Sequence, residues 1–462
     1  MLIRGGVVVD VAGERSADVR TTADGHIAEV AAGLEVLPGE HVYEATGKLV
    51  VPGGIDPHTH LHMPVGALRV SDDFVSGTRA AAIGGTTTII DYVTVARGDD
   101  PMATVGTWRS WAEPSVIDWG LHLTFTEAVP ESVVASGVEM GITSFKLYLA
   151  YPDRLQVDDA TIVRLMRAAR RQGALVTLHC ENGGAIEELR REALAAGRTS
   201  VIEHARTRPA VLEGEAVGRA AAFAEITGAS IYIVHVSSAP ALAAVRAGQE
   251  RGVDIKAETC PQYLYLDSGR LEGPDAIDFV CTPPLRDAWH AEELWQGLAN
   301  GYIQTVATDH CPFRRADRRT GVAGRPGGVA DFTDIPGGLP GIETRLALVW
   351  QGVRSGHITT ADWVRLCSEA PARTFGLWPA KGSLTVGADA DVVVWDPQRS
   401  QSLKASDLDM AVDHSPYEAM VATGWPELVL SRGQTVALDG RFTGEIGWGR
   451  YIARAPLRRE GE

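Results

Sequence analysis

Six residues that lie far apart along the chain carry side chains able to bind metal ions together. They are His58, His60, Lys146, His179, His235 and Asp309. Four imidazoles, an amine and a carboxylate make up the ligand set of a two-metal hydrolytic centre. In such a centre a hydroxide held between two cations is ionised near neutral pH and attacks a polarised carbonyl. We therefore predict two divalent metal ions, and the histidine and carboxylate ligands favour zinc over manganese or cobalt.

The pair His58 and His60 has the spacing of two neighbours on one face of an extended strand. Both imidazoles can then bind the same ion. The alternative is a turn with two exposed histidines, because an HxH pattern is common. The position of the pair at the end of an apolar strand, after residues 52–56, favours the metal site.

Lys146 lies within the apolar segment 144–150, where a lysine is unusual. Burying an unpaired ammonium group is costly. Either the side chain extends to solvent at a strand end, or the amine is neutral and reacts with carbon dioxide. The resulting carbamate would offer one oxygen to each of two ions. We predict this carboxylated lysine at Lys146.

His179 and His235 each end an apolar segment, and Asp309 follows another. Taken singly, each histidine is more often a core residue, and an aspartate at such a place can cap a helix or a turn. Taken together, at the ends of adjacent strands, the two histidines are better explained as ligands of the second ion. Asp309 could bind a metal and accept a proton from the attacking water.

The middle of the chain must supply the elements that bring these side chains together. Eight apolar segments alternate with amphipathic stretches such as 159–172, 216–227 and 239–251. The predicted strands are 49–56, 87–93, 120–126, 144–150, 174–179, 230–236, 254–259 and 304–308. This alternation predicts an α/β fold, a distorted (β/α)8 TIM barrel whose site lies at the carboxyl ends of its strands. An open doubly wound sheet is the alternative, but no GxGxxG turn supports it.

Both ends of the chain have a different pattern, with short β-branched segments bounded by glycine, aspartate or proline. We expect these two ends to meet in one small β-sandwich. The predicted organisation is a sandwich segment at 1–50, the metal-dependent barrel at 51–375, a second sandwich segment at 376–443 and a C-terminal tail at 444–462.

The composition limits the classes of partner. The 462 residues carry a formal net charge of −16, which argues against a nucleic acid or an anionic membrane as partner and suits a small, weakly charged substrate. No apolar segment approaches the roughly 18 residues of a membrane span, and the N-terminal apolar run is too short for a signal peptide. Five scattered cysteines without a CxxC pair predict reduced thiols and a cytoplasmic location.

Over nearly its whole length the chain resembles the hydantoinase/dihydropyrimidinase branch of the cyclic amidohydrolases. The segments that carry the resemblance are 51–60, 84–88, 144–146, 179–183, 309–313 and 444–450. The resemblance implies a barrel with a β-sandwich built from both chain ends and a homotetrameric assembly. It also implies hydrolysis of a cyclic ureide or imide, a hydantoin or dihydropyrimidine, to an N-carbamoyl amino acid.

The same resemblance assigns roles to the candidate residues. The first zinc would be held by His58, His60, carboxylated Lys146 and Asp309, and the second by Lys146, His179 and His235. Asp309 would pass the proton to the leaving nitrogen. Tyr151 matches the family's tyrosine that donates a hydrogen bond to the developing oxyanion, although an aromatic packing role is the alternative.

Two predicted substrate contacts depart from the family pattern. Thr282 stands where members usually have serine, and Gly337 stands where they usually have asparagine. In the family these positions contact the substrate largely through main-chain groups, so the chemistry can survive both changes. Which substrate ring the enzyme prefers is not determined by the resemblance. Segments 63–69 and 153–155 resemble the loops that sort the exocyclic substituent.

Two other functions compete with this interpretation. An allantoinase is the nearest rival enzyme. Tyr151 argues against it, because allantoinases resemble this branch but lack that tyrosine, whereas Gly337 leaves room for it. A non-catalytic scaffold related to dihydropyrimidinases is the second rival, and the six filled ligand positions argue against it.

Overall fold

The N-terminal part of the computed structural model consists of short strands joined by tight turns. The structure describes residues 1–152 and 154–457. The strands are β1 (Leu2–Arg4), β2 (Val7–Asp10), β3 (Gly13–Ser16), β4 (Asp18–Thr21), β5 (Ile27–Ala31), β6 (Val42–Glu44) and β7 (Leu49–Pro52). Glycines with positive φ close several of these turns, as Gly5 and Gly25 do.

A parallel barrel follows. Its strands are β8 (Gly54–Thr59), β11 (Thr86–Thr94), β12 (Asp118–Thr124), β13 (Ser144–Tyr148), β14 (Leu175–His179), β15 (Ile231–Ile233), β16 (Ile255–Thr259) and β17 (Thr305–Val306). The hairpin β9 (Pro64–Val65) and β10 (Leu68–Arg69) follows the first of them. Neighbours in the barrel pair in chain order, and a parallel bridge between Thr59 and His310 brings the last segment beside the first. The predicted distorted (β/α)8 barrel is confirmed.

Helices surround the barrel. They are α1 (Phe74–Ile83), α2 (Pro101–Ala112), α3 (Glu131–Glu139), α4 (Asp159–Arg171), α5 (Gly183–Ala195), α6 (Glu203–Arg206), α7 (Ala210–Thr227), α8 (Ala239–Glu250), α9 (Pro261–Tyr265), α10 (Trp289–Ala299), α11 (Arg315–Thr320), α12 (Arg345–Arg354), α13 (Thr360–Val364) and α14 (Ala370–Thr374). Aspartate caps fix the starts of α1, α2 and α4. Within the described ranges, no helix has the length and apolar character needed to cross a membrane.

The C-terminal strands complete a β-rich region with those of the N-terminus. They are β18 (Val392–Ser402), β19 (Val421–Ser431), β20 (Gln434–Leu438) and β21 (Arg441–Phe442). One sheet has the order β21-β20-β19-β18-β7-β2-β3, and the other has the order β5-β4-β1-β6. Ile3, Val8, Val50, Val392 and Leu430 are fully buried in one cluster contributed by both sheets. The two chain ends therefore share one apolar core.

The structure divides the predicted strand 49–56 in two. β7 pairs with β18 and β2 in the seven-stranded sheet, whereas β8 pairs with β11 in the barrel. Gly53 lies between them so close to Thr87 that a Cβ atom there would lie 2.1 Å from its hydroxyl oxygen. An apolar segment does not reveal that its two halves join different sheets. The domain limits 1–50, 51–375, 376–443 and 444–462 stay a proposal, and residues 458–462 lie outside the described ranges.

Candidate active site

Three of the predicted ligands meet at the carboxyl end of the barrel. His58 lies in β8, His60 follows it, and Asp309 lies three residues beyond β17. An Oδ1–Nε2 distance of 3.1 Å joins Asp309 to His58, and one of 3.2 Å joins it to His60. The two Nε2 atoms are 3.2 Å apart. One ligand atom from each buried side chain lies within 4.8 Å of the others, a grouping able to hold a metal ion.

The second pair of histidines lies beside this group. His179 ends β14, and His235 follows β15 by two residues. Nδ1 of His179 is 3.0 Å from Nε2 of His235, and the ring centroids of His58 and His235 are 5.5 Å apart. Glu181 accepts a hydrogen bond of 2.8 Å from Nε2 of His179, which leaves Nδ1 directed toward His235. The barrel thus gathers all four predicted histidines.

Lys146 projects from β13 into this region and is 1% exposed. Its Nζ atom has no hydrogen-bond partner among the described residues. The amine lies 4.8 Å from the ring centroid of Tyr92 and 5.2 Å from that of Tyr148. Burial lowers the pKa of Lys146 to about 8. An amine that is buried, unbonded and readily neutral has the properties that carboxylation requires.

The donor set fits a pair of divalent cations. The Nε2 atoms of His58 and His60 face one another and Oδ1 of Asp309, and the buried Nζ atom of Lys146 has no hydrogen-bond partner in the described chain. Buried polar atoms normally have partners, so this unpaired amine requires an explanation. Imidazoles, a carboxylate and a lysine carbamate are ligands that zinc accepts.

The predicted substrate contacts, Tyr151, Thr282 and Gly337, line a cavity of about 240 Å³. His58, His60 and Asp309 line the same cavity. The ring centroid of Tyr151 is 5.3 Å from that of His179. A Cβ atom on Gly337 would lie 3.0 Å from Oγ1 of Thr282, so the two departures from the family pattern are neighbours.

Residues 64–66 and 154–155, from the two predicted gating segments, also line this cavity. Of the predicted gating segment 153–155, residue Asp153 lies outside the described ranges.

Comparison with known proteins places the chain in a family. A sequence model of the amidohydrolase family matches residues 49–436. The chain is an amidohydrolase. It is 44% identical to the D-hydantoinase of Geobacillus stearothermophilus over 98% of this chain and 96% of that protein. It is 42% identical to the D-hydantoinase of Streptomyces coelicolor over 98% of each chain. It also superposes on the crystal structure of the dihydropyrimidinase from Brevibacillus agri with a TM-score of 0.95, at 40% identity and with 99% of each chain covered.

These matches confirm the resemblance to the hydantoinase/dihydropyrimidinase branch. The similarity extends through both the barrel and the β-rich ends, because each comparison covers almost the whole chain.

One residue of this amidohydrolase site was missed by sequence reasoning. Glu258 on β16 is fully buried and accepts hydrogen bonds from Nδ1 of His58, from the backbone N–H of His235 at 3.1 Å and from the hydroxyl of Tyr232 at 2.7 Å. The bond to Nδ1 leaves Nε2 of His58 free to face a metal. The sequence did contain one indication of this role, because a charged glutamate lies between Ala257 and Thr259 in a predicted barrel strand.

The buried carboxylates of the amidohydrolase site attract positive charge. Burial opposes ionisation of Asp309, but His58 and His60 hold its pKa well below the ordinary value. Burial would lower the pKa of His58, but the carboxylates of Glu258 and Asp309 raise it to about 9. Burial lowers the pKa of His179 and, much further, that of His235. Asp309 is therefore ionised and the second pair of histidines is neutral, whereas His58 holds a proton that a metal ion would have to displace.

Backbone strain is concentrated in the same place. Tyr151, His235 and Asp309 have φ angles of 63°, 40° and 52°, in the left-handed region that residues with side chains rarely adopt. Such a conformation costs about 1–3 kcal/mol per residue and persists only where the surrounding structure enforces it. Three strained residues around one cavity indicate that the fold maintains their positions for function.

Proposed function

We propose that this amidohydrolase opens the ring amide of hydantoins or dihydropyrimidines and releases N-carbamoyl amino acids. The convergence of His58, His60 and Asp309 beside His179 and His235 in one cavity carries the proposal. Full-length relatives named D-hydantoinase and dihydropyrimidinase support the substrate class, a cyclic ureide or imide.

The proposed cofactors are two divalent metal ions, with zinc favoured. His58, His60, Lys146 and Asp309 would hold the first ion, and Lys146, His179 and His235 would hold the second. Lys146 would bind as a carbamate, formed when its neutral amine attacks carbon dioxide and releases one proton to solvent. When bound, the ions would supply Lewis-acid catalysis and a nucleophile from water near neutral pH.

The side chains of the protein would guide the proton and the charge. Asp309 is ionised, so it can accept the proton of the attacking water and deliver it to the ring nitrogen as the C–N bond breaks. Burial raises the pKa of the Tyr151 phenol, so that side chain stays protonated and can donate to the oxyanion. Thr282 and Gly337 would orient the ring through their main-chain groups.

A substrate panel tests the proposal. Protein reconstituted with zinc and bicarbonate is given dihydrouracil, hydantoin and allantoin, and kcat/KM is measured for each. We expect hydrolysis of dihydrouracil or hydantoin to be the fastest. Faster hydrolysis of allantoin would identify an allantoinase instead. A protein that binds no metal and hydrolyses none of them would favour the scaffold function.

The assembly and the location of the protein are also predictions. We expect a homotetramer, to be measured by light scattering of the metal-loaded protein. The cytoplasmic location rests on the five cysteines, each of which is buried and unpaired.

A further inference from the structure

The substrate cavity has an unusual charge away from the metal ligands. Three arginines are among the residues that line it, Arg154, Arg190 and Arg208. Among the described lining residues the only carboxylate is Asp309, which is assigned to the metal centre. Apart from the metal centre, the charged side chains among these lining residues are therefore all positive.

Arg208 is a buried member of this group. It is 6% exposed, and its Nε atom has no hydrogen-bond partner in the described chain. The nearest carboxylate oxygen, Oε1 of Glu181, is 3.9 Å away, while the other oxygen of Glu181 already accepts a bond from His179. The guanidinium charge is only partly compensated, because Nη1 lies 3.3 Å from Nδ1 of His204 and the Glu181 carboxylate is at the limit of ion-pair distance. An anion in the cavity would therefore stabilise it.

Arg190 on α5 contributes a second guanidinium group. Its Nη1 atom donates to Glu187 at 2.6 Å, but its Nε atom is buried without a partner. Burial lowers the pKa of Arg190, and the positive charge of Arg208 lowers it further. Because the carboxylate of Glu187 is 54% exposed, solvent weakens its compensation of this charge. Because the two positive charges act on each other, an anion beside them would stabilise both.

The remaining walls of the cavity are apolar. Met63, Val65, Leu155, Phe332 and Ile335 line it. Such walls suit the hydrocarbon stem of a substituent whose far end is charged.

We propose that this enzyme acts on cyclic ureides whose exocyclic substituent ends in a carboxylate, and that Arg190 and Arg208 bind that carboxylate. The inference rests on the proposed function, because it assigns the cavity to the substrate of ring hydrolysis.

The test compares two hydantoins of nearly equal shape. One carries a 2-carboxyethyl group at C5, and the other carries the neutral 2-carbamoylethyl group. With metal-reconstituted protein we expect kcat/KM to be about tenfold higher for the acid, the effect of roughly 1.4 kcal/mol. Equal or faster hydrolysis of the amide would overturn the inference and leave the proposed function intact. Hydrolysis of neither compound, nor of hydantoin itself, would overturn both.

A matched pair of variants assigns the effect to the cavity. Arg190→Gln removes the lining charge, whereas Arg191→Gln removes a neighbouring charge on α5 that is paired with Glu188 and absent from the lining. We expect the acid-to-amide ratio of kcat/KM to fall severalfold in Arg190→Gln and to stay at the wild-type value in Arg191→Gln. An unchanged ratio in Arg190→Gln, or an equal fall in both variants, would contradict recognition by this arginine.

Discussion

The environment of Lys146 determines its chemistry. The aromatic rings of Tyr92 and Tyr148 lie close enough to attract a cation. Burial has the opposite effect and prevails, because the pKa of Lys146 falls to about 8. At neutral pH a useful fraction of the amine is then uncharged and nucleophilic. The same side chain on a solvent-exposed strand would stay protonated.

We predict that Lys146→Ala abolishes tight metal binding, because the carbamate would bridge both ions. Metal content of the purified variant measures this, and small carboxylic acids added to it should restore part of the activity by replacing the carbamate. Lys256→Ala is the control, since Lys256 also lies on a barrel strand but pairs with Asp254 at 2.8 Å. Normal metal content in the Lys146 variant would exclude the bridging role.

We predict that Tyr151→Phe lowers kcat more than it raises KM. The phenol would bond most strongly to the oxyanion, which exists only along the reaction path, so losing it should reduce kcat by about 10²-fold. Steady-state kinetics on hydantoin provide the measurement, with unchanged metal content as the control for an intact centre. A wild-type kcat would remove Tyr151 from the mechanism.

At the scale of elements, β16 connects two parts of the metal centre. Its Glu258 carboxylate fixes the imidazole of His58 on β8 and the backbone of His235 after β15. Since His58 and His235 are the proposed ligands of different ions, one carboxylate fixes the position of one ligand relative to the other. Groups behind the ligands commonly affect metal affinity almost as strongly as the ligands do.

We predict that Glu258→Gln weakens metal binding by about 10–100-fold. A neutral amide accepts the hydrogen bond from Nδ1 of His58 less strongly than a carboxylate, so it favours less the tautomer whose Nε2 can bind a metal. Competition with a coloured chelator measures the affinity directly, without reference to turnover. Wild-type affinity in this variant would show that Glu258 has only a packing role.

The sequence predicted much of this arrangement and missed particular parts of it for physical reasons. The strand that ends in His179 and the one that ends two residues before His235 could be recognised, because apolar segments and ligand side chains are local features. The division of 49–56 between two sheets could not, since it depends on pairing with β18, more than three hundred residues away. The hydrogen bonds of Glu258 and the positions of Arg190 and Arg208 at the cavity likewise depend on distant segments that only folding brings together.

At the scale of the whole molecule, buried carboxylates attach the C-terminal segment to the barrel. Glu343 is 2% exposed and accepts a hydrogen bond of 2.7 Å from the backbone N–H of Asp409. Asp72 accepts one of 2.9 Å from that of Ala411. Burial raises the pKa of Glu343 to about 8, although the bond from Asp409 lowers it in part. The folded chain therefore retains a proton that the unfolded chain loses near pH 4.5.

We predict a loss of stability as pH rises from about 4.5 to about 8, the range between the unfolded and folded pKa values of Glu343. In this range the folded state binds a proton that the unfolded state does not, so the free energy of unfolding falls by up to about 1.4 kcal/mol per pH unit. Glu343→Gln should lack this decline, so its Tm relative to wild type should increase between pH 5 and pH 8.5. The exposed Glu139→Gln is the control. Parallel Tm profiles for wild type and Glu343→Gln would refute the assignment.

The shared sheet of the two chain ends also sets an order of events during synthesis. β7 leaves the ribosome more than three hundred residues before its partner β18. At about 5–20 residues per second, the N-terminal strands wait roughly 20–70 s for that partner. Until β18 has been made, the edge of β7 with which it pairs lacks that partner strand. Because an unpaired strand edge can pair with another chain, such pairing would compete with the native sheet during this interval.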